Sequence, residues 1–320
     1  MTPHARAGAA LAAVALLATA TACGTGVRAT TAGRGPTGSR ADADRATATT
    51  ATTATTASVG RITKLLVIVE ENHSRRVALA SMPYLRKLAG RYGQATHYVA
   101  VTHPSLPNYL AITGGSTFGV TDDAWPSSHR IRGRSVFGQA LAAHRSARVY
   151  AQSQPLRCDH VDSGRYAVRH TGWPYFASET TACKLRQVAA GMPSGGNLAT
   201  ATASGHLPNV GLVVPNLCYD AHDCSLATAD GWLSRWIPVL RSGPDYRAGR
   251  LAIVVTFDEG SATDNNVAFV VVSPYVHSVV ATRHLTHYSL TRAVDAVLGV
   301  PPLRKAALAP AMPAAFHLAG

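Results

Sequence analysis

The chain has 320 residues, 47% of them hydrophobic, and a formal net charge of +13. That length is enough for one large domain with a substantial core. The charge suits an anionic substrate or an anionic envelope, or simply follows from a composition rich in Arg and Ala. Without a Lys/Arg-rich run or a helix-turn-helix pattern, it does not mark a specific nucleic-acid binder.

Residues 1–22 read as an export signal. Arg6 gives a positive start, Ala9 to Ala18 form an apolar run, and Thr19-Ala20-Thr21-Ala22 is a small-residue exit. The run is too short for a permanent membrane-spanning helix. Ala20-Thr21-Ala22-Cys23 resembles a lipoprotein cleavage box, but with Ala where Leu is usual three residues before the cysteine. Lipid anchoring at Cys23 and free secretion both stay open, and membrane contact is expected only through that anchor. Residues 23–60 read as a disordered Thr/Ala-rich tether, since 46–58 hold no large apolar residue. Residues 1–60 carry five Arg and two Asp, a share of +3 that leaves +10 for the rest. Export also makes the other cysteines readable. Cys158, Cys183, Cys218 and Cys224 are an even set, for which an oxidising compartment predicts two disulfides. Proximity favours Cys158–Cys183 and Cys218–Cys224. A four-thiolate zinc site is the rival, although the spacing is unlike a zinc ribbon.

From Arg61 strands and helices alternate. Residues 65–69 (LLVIV) read as a buried strand, and a helix is expected from Ser81 to Tyr92, with Ser81 as N-cap and Gly93 as the stop. Residues 135–145 read as a helix, 147–152 and 210–215 as strands. A helix over about 228–240 aligns Trp232, Trp236 and Leu240 on one face. Residues 251–257 and 267–273 are continuous apolar strands, and 288–299 read as a closing helix. Uninterrupted Val/Ile runs between helices predict an α/β fold: a mainly parallel central sheet with helices on both faces, over residues 61–305. The Ala/Pro-rich segment after Pro302, including a tail at 306–320, is expected to pack little.

In such a sheet ligands bind beyond the carboxyl ends of the strands. The first exit is Glu70-Glu71-Asn72-His73, another is Asp258-Glu259, and the strand 210–215 runs into NLCYDAHDC (216–224). Adjacent carboxylates repel unless something neutralises them. Taken singly, each exit is as well explained by a helix cap or a turn. Taken together on one edge, they point to a metal. Ser105 lies between Pro104 and Pro107, just before a predicted helix whose amino end favours a bound phosphate. No Gly-x-Ser-x-Gly elbow surrounds it, so a Ser-His-Asp esterase is not supported.

The ordered motifs EENHS (70–74), HPSLPNYLAITGG (103–115), PNLCYDAHDCS (215–225), VTFDEG (255–260) and HYSLTR (287–292) resemble the bacterial phosphoesterase family of acid phosphatases and phospholipase C enzymes, within the alkaline phosphatase superfamily. The resemblance spans about residues 62–300. It implies an α/β/α sandwich and a metal-dependent phosphoric ester hydrolase using one or two divalent cations, which the leader at 1–22 would make an exported one. Ser105 would be nucleophile and metal ligand, with Glu71, Asn72, Asp258 and Glu259 completing that site. Asn108, Arg169 and His170 would contact the phosphate. Asp220, His222 and His287 would hold a second metal, or His222 and His287 would act on the leaving group as catalytic acids and bases. A small phosphate ester is the expected substrate; oligomeric state is not set by the sequence. A phospholipase C-like phosphodiesterase and a non-catalytic phosphate-binding protein are the alternatives.

Overall fold

The computed structural model describes residues 62–318. The predicted signal, Cys23 and the tether lie outside the described residues. In chain order the elements begin with β1 (Lys64–Glu70), α1 (Arg75–Ser81), α2 (Pro83–Arg91), β2 (Gly93–Ala95), β3 (Tyr98–Val99) and α3 (Ser105–Gly114). Next come α4 (Val136–Ala142), β4 (Ala147–Ala151), α5 (Thr180–Arg186), β5 (Gln187–Ala189), α6 (Asn197–Ala203) and β6 (Val210–Val214). The chain continues with α7 (Leu226–Ser242), α8 (Pro244–Arg247), β7 (Leu251–Phe257), β8 (Phe269–Val272), β9 (Val279–Ala281), β10 (Leu285–Thr286) and α9 (His287–Leu298).

Eight strands form one sheet in the order β5-β4-β6-β1-β7-β8-β2-β9. β5, β4, β6, β1 and β7 are parallel neighbours, whereas β8 runs antiparallel to both β7 and β2. The central strands are apolar throughout because both faces are covered. Every residue of β6 and β7 is buried, as is all of β1 after Lys64. α3, α4 and α9 pack with one another in one layer, and α1, α2, α6, α7 and α8 in another. α7 buries Trp232, Trp236 and Leu240 as its spacing predicts, and its N-cap Ser225 accepts a hydrogen bond from the Thr228 N–H.

Two expectations need correction. The helix predicted over 81–92 is split into α1 and α2 at Met82, which has φ −116° and ψ 83°. Proline disfavours helical geometry in the residue before it, so Pro83 makes Met82, not Ser81, the N-cap. Gly93 opens β2 instead of merely ending a helix, and a Cβ there would lie 2.7 Å from Val276 Cγ1 and 2.9 Å from Phe316 Cε1. The C-terminal segment also packs closely. Phe316 and Leu318 are fully buried, and the Phe316 ring stacks 6.3 Å from Phe269.

Candidate active site at the carboxyl edge of the sheet

β6, β1 and β7 are adjacent and parallel, so their carboxyl ends open side by side. Pairing of Glu70 with Phe257 sets the next residues, Glu71 and Asp258, beside each other. The Asp258 N–H donates to Glu70 O at 3.0 Å, and the Glu71 N–H donates to Asp220 O at 2.8 Å. Asn72 takes a left-handed conformation, φ +57°, which asparagine tolerates better than most residues. That bend turns its N–H onto Asp258 Oδ1 at 3.1 Å. Ser105 is the first residue of α3 and only 3% exposed. Asn108 and Tyr109 follow at i+3 and i+4, hence on the same helix face. Ser105 Oγ donates to Glu71 Oε2 at 3.2 Å, and the Tyr109 hydroxyl donates to Glu71 Oε1.

The electrostatics of this edge are unfavourable for the protein alone. Burial, then the charges of Asp258 and Asp220, hold the Glu71 carboxyl well above its ordinary range. Burial, reinforced by Glu259, pushes Asp258 up to about 7. Asp220 rises to about 7 through burial, and Glu259 to about 7 through burial and the Asp123 charge. Among the described residues, Asp258 Oδ2, Asp220 Oδ2, Asn72 Oδ1 and His170 Nε2 are buried without a hydrogen-bond partner. His170 is 1% exposed, with Nε2 3.4 Å from Glu71 Oε2 and Nδ1 3.5 Å from Asp220 Oδ2, and its ring stacks on Tyr109 at 5.1 Å. Burial, with Arg169 and His222 nearby, lowers its pKa well below the usual value, leaving the neutral imidazole that metals bind. Buried carboxylates, an amide oxygen and a neutral imidazole, all lacking partners, fit a divalent cation. Glu71, His170 and Asp220 each offer an atom within 4.8 Å of the others. Ser105 Oγ shares Glu71 Oε2 with His170, and Asp258, which accepts the Asn72 N–H, adjoins the same cluster.

The remaining predicted residues divide by position. Glu259 lies beside Asn108 Nδ2 at 3.3 Å and His103 Nδ1 at 3.1 Å. Asn108 is fully buried and braces the preceding loop: Oδ1 accepts from the Val101 and Thr102 N–H groups, and Nδ2 donates to Thr102 O and Pro104 O. Arg169 stands at the rim, 3.3 Å from Asp162 Oδ2 and 3.3 Å from His222 Nε2. His222 is exposed there, with Nδ1 2.7 Å from Asp223 Oδ1. His287, at the start of α9, is fully buried with both ring nitrogens engaged, Nε2 by Asp258 O at 2.5 Å and Nδ1 by the Tyr98 hydroxyl at 2.9 Å. Burial holds its pKa down at about 4. The structure therefore does not gather Asp220, His222 and His287 around one point; Asp220 is grouped with Glu71 and His170 instead. The disulfides are Cys158–Cys183 and Cys218–Cys224, the second enclosing Asp220 and His222 in a short loop.

Tyr109, His103 and Asp123 complete the surroundings and escape the sequence reading. Tyr109 was legible as the residue one helical turn from Ser105. His103 stands in a quoted motif, but nothing in the spacing joins it to Glu259. Asp123 lies in an irregular segment that carries no periodic signal.

The sequence model of the Phosphoesterase family matches residues 75–301. The chain is 28% identical over 250 residues to the phosphatidylinositol-3-phosphatase of Mycobacterium tuberculosis, covering 77% of this chain and 80% of that protein. It is 28% identical over 287 residues to a phosphate-repressible acid phosphatase of Penicillium chrysogenum, covering 86% and 68%. Among solved structures, an alkaline phosphatase superfamily protein from Vibrio parahaemolyticus superposes with a TM-score of 0.52 at 9% identity, over 75% of this chain and 67% of that one, which bears on the fold alone. With most of its folded length matched, the chain belongs to the phosphoesterase family and is a hydrolase of phosphoric esters.

Proposed function

We propose that the protein is an exported, metal-dependent phosphomonoesterase that works through a phosphoserine on Ser105. One observation carries this reading. The Ser105 hydroxyl sits at the amino end of a buried helix, hydrogen-bonded to Glu71 inside a cluster of partnerless carboxyl oxygens. Glu71, Asn72, Asp258 and Ser105, with Glu259 adjacent, would hold one cation; His170 and Asp220 would share Glu71 with a second. A bound divalent cation favours the ionised serine and polarises a phosphoryl oxygen.

The residues of the chain supply the rest. The Ser105 proton is directed at Glu71 Oε2, which leaves an Oγ lone pair free for in-line attack. As the Oγ–P bond forms, the Ser105 proton passes to Glu71 Oε2, which returns it when the phosphoserine is cleaved. As the ester P–O bond breaks, the departing alkoxide takes a proton from an acid at the rim. His222, half-exposed and hydrogen-bonded to Asp223, is placed for that role. Arg169 faces the charge on the phosphoryl oxygens, while Asn108 fixes the loop that presents Ser105. A water deprotonated by His222 then releases inorganic phosphate and restores the serine. That two relatives are named phosphatases supports the monoester reading over the diester one. Two disulfides favour an oxidising compartment, in line with the leader at 1–22 whether or not Cys23 carries a lipid.

Purified protein should release phosphate from an aryl phosphate, and chelator should stop it. Acid quenching during turnover should trap the phosphoryl group on the peptide containing Ser105. Full activity in Ser105→Ala would overturn the assignment.

A further inference from the structure

The phosphohydrolase reading leaves one charged side chain next to the nucleophile without a role. Asp123 lies between α3 and α4, with its side chain 36% exposed. Its Oδ1 accepts the Leu106 N–H at 2.8 Å. Leu106 directly follows Ser105, so this N–H belongs to the amino end of α3, where free N–H groups and the helix dipole attract anions. Pro104, the residue ahead of the helix, offers no side-chain cap, and Asp123 takes that place from a distance. Asp123 Oδ2 is 3.8 Å from Arg169 Nε. After burial, the Asp123 charge is the next cause of the raised Glu259 carboxyl, so it also faces the acidic cluster. A single carboxylate thus connects the nucleophile's helix to the rim guanidinium.

We propose that Asp123 occupies, in the free enzyme, the place of a phosphoryl oxygen and thereby sets the mono- versus diester preference of the site. The inference rests on the phosphohydrolase reading. A phosphoryl oxygen reaches the Leu106 N–H and Arg169 only as the carboxylate yields them. Once displaced, the carboxylate remains nearby and repels the incoming group. The repulsion scales with charge, so a dianionic monoester is opposed about twice as strongly as a monoanionic diester. Asp123 therefore narrows the advantage that the cationic groups give to monoesters.

Asp123→Asn tests this, because the amide oxygen still accepts the Leu106 N–H while the charge is gone. With metal-loaded full-length protein, the KM for an aryl phosphate should fall about tenfold and that for the matching aryl diester about threefold, by the same charge argument. The kcat/KM ratio of monoester to diester should rise accordingly. Asp123→Ala should shift the ratio the same way, with a lower kcat from loss of the cap. An unchanged ratio in Asp123→Asn, or a shift in Asp123→Ala alone, would show that Asp123 is only a cap and overturn the proposal. Calorimetric binding of inorganic phosphate provides a readout independent of turnover. It should tighten about tenfold in Asp123→Asn, and equal affinity in the two proteins would refute the displacement. If wild type hydrolyses neither ester, the phosphohydrolase reading fails, while phosphate binding still decides the role of Asp123.

Discussion

In the chelated protein, Asp258 should contribute to stability with the opposite pH dependence from that of an ordinary paired carboxylate. Asp258 has a carboxyl raised from 3.8 to about 7 by burial and by Glu259. A group whose folded pKa is raised stabilises the fold fully below the unfolded value, and that stability is lost as pH rises through the folded value. The window is therefore from about pH 4 to about pH 7. The gap between the two values corresponds to about 4 kcal/mol for this one carboxyl. Asp220 is raised to about 7 as well, but neighbouring carboxyls share charge, so the contributions do not simply add. Glu259 and Glu71 are raised too, whereas the lowered His170 and His287 act in the opposite sense, so the Asp258 share is read as a difference. Urea unfolding in excess chelator should show wild type losing about 4 kcal/mol relative to Asp258→Asn, which cannot ionise, between pH 4 and pH 8. Returning a divalent cation at pH 8 should restore stability, because the cation binds only the folded cluster. The reasoning is refuted if the stability difference between wild type and Asp258→Asn stays constant across this window.

Other expectations follow from single contacts. Tyr109→Phe removes a donor to Glu71 and should weaken metal affinity about ten- to hundredfold; titrating metal back into stripped enzyme measures it. Phe316→Ala should cost about 3–5 kcal/mol in thermal unfolding, because the ring is fully buried against Gly93 and Phe269; a loss under 1 kcal/mol would mean that the C-terminal segment is only loosely docked. Replacing both Cys218 and Cys224 by Ala opens the loop that holds Asp220 and His222. About 2 kcal/mol of stability should go with it, together with much of the activity, as read by paired unfolding and turnover assays.

How far the sequence speaks depends on whether a feature is local. The polar exits of the apolar strands were legible because strand composition and the carboxyl-edge rule need only short stretches of chain. The reversal of β8 was within reach too. Only residues 258–268 separate it from β7, and a parallel crossover usually needs a dozen or more residues with a helix between. The roles of His287 and His170 were not legible. Both are histidines at the ends of elements, and only the packing shows that one is pinned beneath Asp258 by Tyr98 while the other faces two carboxylates. Asp123 reaches Leu106 from a segment without periodicity, and no pattern within a window of the sequence joins the two.

The pair Glu70 and Glu71 shows what three dimensions add. Successive strand residues point to opposite faces, so only one of two adjacent carboxyls can enter a given site. Glu71 enters the cluster with Ser105 and Tyr109. Glu70 is equally buried, yet among the described residues neither of its side-chain oxygens has a partner. Burial, then Asp220 and Asp230, raise its pKa well above the ordinary range, which favours the uncharged acid. In that form Glu70 adds no further negative charge to an edge where Glu71, Asp220, Asp258 and Glu259 already repel one another. The motif EENHS (70–74) thus contains two carboxyls in different settings: as a metal ligand Glu71 would be ionised, whereas burial without such a partner favours the protonated form of Glu70. Glu70→Gln should therefore leave metal binding intact, while Glu71→Gln should abolish it, and metal titration of the two variants separates the roles.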